Sequence, residues 1–231
     1  MELLVVIAVI ALLAAIVTPA VMRAQSSARN AAIKAEIDML HMAIMNYKNE
    51  FGSFPPSLDT ALTGTSPACK HLARIFPRCA TAANELQSTL PSGVVITGTN
   101  AISFWLSGYS DNPALPLTGG TRKKLYDFDA SRVNSSTGAY FPSGKSASPY
   151  LYIDSSMYTS VPYAGGSSSS PGAFRVSYAG DPTPFANAAQ AFANADTFQI
   201  LCAGRDETFG TDDDISNFWP STRKDYLDSL K

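Results

Sequence analysis

The chain of 231 residues has a formal net charge of −2, and charged side chains make up only 16% of it. Without a basic block it offers no electrostatic footprint for nucleic acid, so no nucleic-acid partner is expected. Three cysteines, Cys69, Cys79 and Cys202, fit no zinc spacing, and no G-x-S-x-G, P-loop or H-E-x-x-H motif points to catalysis.

The first element is an apolar helix. Leu3 to Met22 is a run of twenty uncharged residues dominated by Leu, Val, Ile and Ala. About twenty such residues span the roughly 30 Å hydrocarbon core of a bilayer. Nothing basic precedes the run, which argues against a cleaved secretory signal. Arg23, Arg29 and Lys34 follow it, and taken alone the positive-inside rule would place them and the folded part in the cytoplasm. Beyond Arg23, apolar residues recur at Ile33, Ile37, Leu40, Ile44 and Tyr47, one stripe of an α-helix. Lys34, Glu36, Asp38, Asn46 and Lys48 lie between them and are expected to face water. No Gly or Pro interrupts residues 21–51, and Gly52 with Pro55-Pro56 ends the pattern. One helix of about fifty residues, roughly 70 Å long, is predicted. Pro19 should kink or loosen it, because proline removes a backbone hydrogen bond.

The stretch "ELLVVIAVIALLAAIVTPAV" resembles the N-terminal helix of type IV pilins and type II secretion pseudopilins. Glu2 leads the apolar run, Pro19 stands seventeen residues later, and an amphipathic half continues it. The resemblance implies an assembly role for Glu2 and Pro19, with Glu2 compensating a neighbouring subunit's terminal amine. A carboxylate beside lipid is tolerable once a cation and hydrogen bonds answer it. On the residues alone, the first reading is that Glu2 sits at the interface, in water among lipid headgroups. The resemblance also places the C-terminal domain outside the cytoplasm, in the periplasm, which reverses the positive-inside reading. The family's precursors carry a short basic leader ending in Gly, whereas here Met1 stands directly before Glu2. Processing and methylation are therefore assigned to no residue of this sequence. A start assigned too far downstream, a trimmed chain and an unprocessed protein are the open readings.

"YKNEFGSFPPSLDTAL" (residues 47–62) resembles the segment where the pseudopilin helix ends and a second, shorter helix starts. Residues 64–148 are rich in turn formers, with short helical candidates at 69–75 and 101–107. They read as an enlarged variable region, with His71 in an early loop. His41 is expected on the surface of the long helix. In an oxidising compartment Cys69 and Cys79 could close a short loop, and buried free thiols are the alternative. "PYLYI" (149–153), "AFRVSYA" (173–179) and "TFQILCA" (197–203) are strand candidates, the first two joined by a Gly/Ser tract. The expected fold is α+β and pilin-like, a long helix packed on a small C-terminal antiparallel sheet. Its parts would be a membrane half (1–22), an amphipathic half (23–51), a variable region (52–148) and a sheet with its terminal loop (149–231).

"AGRDETFGTDDDISNFW" follows the last strand. Five acidic side chains, Asp206, Glu207, Asp212, Asp213 and Asp214, fall within nine residues. Crowded carboxylates repel unless a cation or water separates them. Calcium suits such a loop because it takes six to eight oxygens, backbone carbonyls included, although the spacing is not an EF-hand. A solvated acidic turn is the other reading of the residues. The pattern resembles the C-terminal calcium loop of major type II secretion pseudopilins. That resemblance implies Ca²⁺ held by Asp206, Asp212 and Asp214 with the carbonyl of Ala203, leaving Asp213 out. It implies a structural, non-enzymatic subunit of a secretion pseudopilus. Its partners would be copies of itself, other pseudopilins, the inner-membrane secretion platform and the membrane, which it crosses once. A type IV pilus subunit for adhesion, motility or DNA uptake is one alternative. A monomeric, membrane-tethered calcium-binding module is another.

Overall fold

The computed structural model describes residues 2–144, 147–158 and 192–230, without the side chains of Glu2 and Leu4. Helix α1 runs without interruption from Glu2 to Phe51, with Pro19 inside it. Thr18 Oγ1 donates to the Ala14 carbonyl at 2.7 Å one residue before the proline, a back-bond that often accompanies helix bending. The helix stops at Gly52, whose φ of +79° is the left-handed conformation that closes helices, and whose N–H reaches Lys48 O at 2.7 Å. Pro55 and Pro56 then offer their carbonyls to Tyr152 Oη and Trp105 Nε1, which pins the exit of the chain.

The two halves of α1 differ in burial. Leu3, Val5, Ile7, Leu12, Ile16 and Val21 are all exposed, and the apolar half has no packing partner among the described residues. It is the one described helix long and apolar enough to cross a membrane. Ile33, Ile37, Leu40, Ile44 and Tyr47, the predicted stripe, are buried at 0–1% exposure. Each such side chain contributes about 1.5–3 kcal/mol, so the second half of α1 is held by the domain it helps to build.

That domain contains a three-stranded antiparallel sheet in the order β3 (Leu151–Asp154), β4 (Phe198–Cys202) and β5 (Ile215–Ser216). In its register Tyr152 faces Ile200 and Leu201 faces Ser216. A second sheet pairs β1 (Tyr109–Ser110) with β2 (Arg122–Lys123). Four shorter α-helices, α2 (Pro67–Ile75), α3 (Ala82–Thr89), α4 (Ala101–Leu106) and α5 (Arg223–Ser229), and two 3₁₀ turns (Ala130–Arg132 and Ser155–Met157) complete the described elements. The α+β layout is as expected, and α2 and α4 lie at the two predicted helical positions. The strand expected at 173–179 lies outside the described residues. The third strand of the sheet comes instead from Ile215 and Ser216, within the acidic segment.

Several expectations are corrected. The second helix starts at Pro67, not within 47–62: prolines disfavour helix at the residues before them, and the Pro55 and Pro56 carbonyls are bonded to Tyr152 and Trp105. The central region also contributes to the core: Trp105, Leu86, Leu72 and Ile96 are fully buried in one cluster with the α1 stripe. His71 lies on α2 and is buried, with Nε2 2.7 Å from Tyr47 Oη. Its Nδ1 is 3.1 Å from Arg74 Nη2, which can only donate, so the proton sits on Nε2. Burial, aided by Arg74, pushes its pKa down to about 4. His41 is half-buried, its ring 4.9 Å from that of Phe198. Cys69, Cys79 and Cys202 are all free and buried.

Glu36 is the largest departure. Expected to face water, it is 8% exposed. One oxygen accepts from Arg132 Nη2 and, at 2.7 Å, from Tyr140 Oη. The other accepts from Arg132 Nη1 at 3.0 Å and Tyr150 Oη at 2.6 Å. A carboxylate on α1 is thereby tied to the variable region and to the residue before β3.

Candidate cation site

The acidic loop joins β4 to β5 and folds back on itself through three left-handed positions, Gly204 (φ +65°), Glu207 (+60°) and Gly210 (+91°). A Cβ on Gly204 would lie 2.4 Å from Asp213 O and 2.6 Å from its carboxylate, so only glycine fits. Asp213, outside the implied calcium set, braces the loop. Its Oδ2 accepts from the N–H groups of Arg205 (2.6 Å) and Asp206 (3.1 Å), and its Oδ1 from Thr211 Oγ1 (2.8 Å). The repulsion among carboxylates is eased here by backbone donors. Which of three consecutive aspartates takes that place follows from the turn geometry, which no residue type announces.

The four residues of the implied calcium set are placed differently from one another. Ala203 is buried at the base of the loop. Asp206 is exposed and turns one oxygen back to the Thr208 N–H at 2.8 Å. Asp212 is exposed, with Oδ1 3.3 Å from Arg223 Nη1. Asp214 is fully buried; Oδ2 accepts from the Gly210 N–H at 2.6 Å, while Oδ1 has no hydrogen-bond partner among the described residues. Burial pushes its pKa up to about 7, opposed by the Gly210 bond and reinforced by Asp213. Among the described residues no three His, Cys, Asp or Glu side chains converge as a metal cage. The donors nevertheless fit a hard cation in kind: all are oxygens, and a buried carboxylate oxygen without a partner is what a cation would satisfy. Asp212 would join such a set by leaving Arg223.

The rest of the motif secures the loop to the fold. Asn217 accepts the Ile200 N–H at 2.9 Å and donates from Nδ2 to His41 Nδ1 at 3.1 Å, linking β4 to α1. Trp219, 5% exposed, fills a second core with Leu151, Ile153, Leu201 and Phe209. Lys34 on α1 donates to the Ser216 carbonyl at 3.1 Å. No protein-family profile, curated protein or solved structure matches this chain.

Proposed function

We propose that the chain is a structural subunit of a type II secretion pseudopilus, which polymerises through its N-terminal helix and carries no catalytic site. The proposal includes a Ca²⁺ held by Asp206, Asp212, Asp214 and the carbonyl of Ala203, and a pilin-like place for the domain on the periplasmic side of a bacterial inner membrane. The carrying observation is the division of α1. One stripe of its second half is buried in the domain, whereas its first half leaves a large apolar surface bare on every side. Such a surface needs lipid, or copies of itself once it leaves lipid. A single anchored helix would need only the first, and a carboxylate at its head favours the second.

Glu2→Ala tests this in membranes. If Glu2 answers a cation on the neighbouring subunit, its loss leaves that charge uncompensated, at a cost of several kcal/mol. The variant should insert and fold, yet yield few cross-linked multimers next to a wild-type ladder. A ladder as strong in the variant as in wild type would remove the assembly role and favour the monomeric tethered module.

A further inference from the structure

Below the domain, α1 carries an arginine with an open hydrogen-bonding face. Nε and Nη2 of Arg29 are both buried, and neither has a hydrogen-bond partner among the described residues. These two nitrogens form the side-on edge of a guanidinium, whose parallel N–H groups match two oxygens of one oxyanion. Gly144 covers the group: a Cβ built there would lie 3.8 Å from Arg29 Nε, and its φ is +87°. Gly144 also lines a cavity of about 400 Å³ with Ser131, Arg132 and Asn134. Arg132 gives both terminal nitrogens to Glu36, but its buried Nε has no hydrogen-bond partner either, and Asp129 Oδ2 is 3.8 Å away. Gly144 is thus next to the unfilled edge of Arg29 and also on the wall of the cavity that Arg132 lines.

The position selects the ligand. Arg29 lies seven residues past Met22, about 10 Å along the axis, and helical side chains lean back toward the N-terminus. The first fully buried residue of α1 is Ile33, so Arg29 stands at the rim of the domain facing the apolar run. With that run in a bilayer, the polar layer beyond the hydrocarbon reaches roughly 5–8 Å outward, within reach of a long side chain. We infer that Arg29 forms a phosphate-class oxyanion site beside the Gly144 turn, filled by a phospholipid headgroup. This rests on the membrane reading of α1, and does not need the chain to polymerise.

The test follows the Arg29 Nε–H resonance of ¹⁵N-arginine-labelled full-length protein in maltoside micelles, assigned by its absence in Arg29→Lys. Dihexanoylphosphatidylglycerol should shift it saturably, and dihexanoylglycerol, which lacks phosphate, should not. Arg29→Lys keeps the charge and loses the fork, so lipid binding read from neighbouring amides should weaken at least tenfold at unchanged melting temperature. Saturation by inorganic phosphate at the same concentrations would keep the site and assign it to soluble phosphate. An Arg29 resonance that moves with neither ligand overturns the site. If the same protein still inserts into vesicles and cross-links as wild type, the assembly reading survives that failure, and a chain that does not insert loses both.

Discussion

Replacing Glu36 by leucine should lower the stability of the domain by about 3–5 kcal/mol, a fall of roughly 10 °C in melting temperature for a domain of this size. The substitution removes the acceptor of four hydrogen bonds and strands the Arg132 guanidinium beside two buried tyrosine hydroxyls. Arg132 is only 18% exposed along its side chain, so water cannot readily take over. Glu36→Gln keeps one acceptor oxygen and should fall between leucine and wild type. Adding Arg132→Met to Glu36→Leu should recover much of the loss, because an apolar pair in place of a buried ion pair is often neutral. Melting of the full chain in mild detergent measures all four proteins. A Glu36→Leu protein that melts within a degree or two of wild type would show that the knot does not hold α1 to the domain.

The same carboxylate marks the limit of what the sequence discloses. The stripe from Ile33 to Tyr47 was legible because period and composition agree over five positions, and its burial follows. Glu36 lies next to that stripe in the sequence, and its burial depends on Arg132, Tyr140 and Tyr150, about a hundred residues away. No local pattern announces a partner so distant. β3 and β4 were legible through their aromatic and β-branched residues. β5 was not, since two residues inside an acidic run carry no strand period; their pairing comes from the register with Leu201 and Cys202. α3 has the polar sequence AANELQST and buries Glu85, which accepts the N–H groups of Leu117 and Thr118. A polar helix pinned by a buried carboxylate has little apolar signal to read. At the candidate site the acidic cluster was visible, but its division of labour was not. Asp213 braces, Asp214 is buried and Asp212 pairs with Arg223 because the left-handed turns at Gly204, Glu207 and Gly210 aim them so.

Asp214 should make the domain less stable as pH rises, opposite to the usual behaviour of a paired carboxylate. An aspartate in the unfolded chain loses its proton near pH 3.9, while buried Asp214 keeps its proton up to about 7. Between those values the folded state binds more protons than the unfolded state, so the free energy of unfolding falls with increasing pH. The contribution is full below about pH 4 and gone above about pH 7, and a shift of this size corresponds to something on the order of 4 kcal/mol. About two of those pH units lie above pH 5, so in chelator wild type should melt roughly 5–10 °C lower at pH 8 than at pH 5, after subtraction of Asp214→Asn, which lacks this titration. Calcium acts on the same oxygen. At pH 8 it should raise the melting temperature, by about 2.7 kcal/mol of stabilisation at a hundredfold excess over Kd. At pH 5 the proton already holds the site and calcium should add little. Magnesium should substitute poorly because it demands tight octahedral geometry, and Asp212→Ala should abolish the response to calcium. Equal melting of wild type at pH 5 and 8, relative to Asp214→Asn, would mean that the buried carboxyl is not held protonated. A fall with pH that calcium leaves unchanged would keep the buried acid and remove the metal. The loop would then be closed by Asp213 and its backbone donors alone, and the secretion reading would stand only on α1.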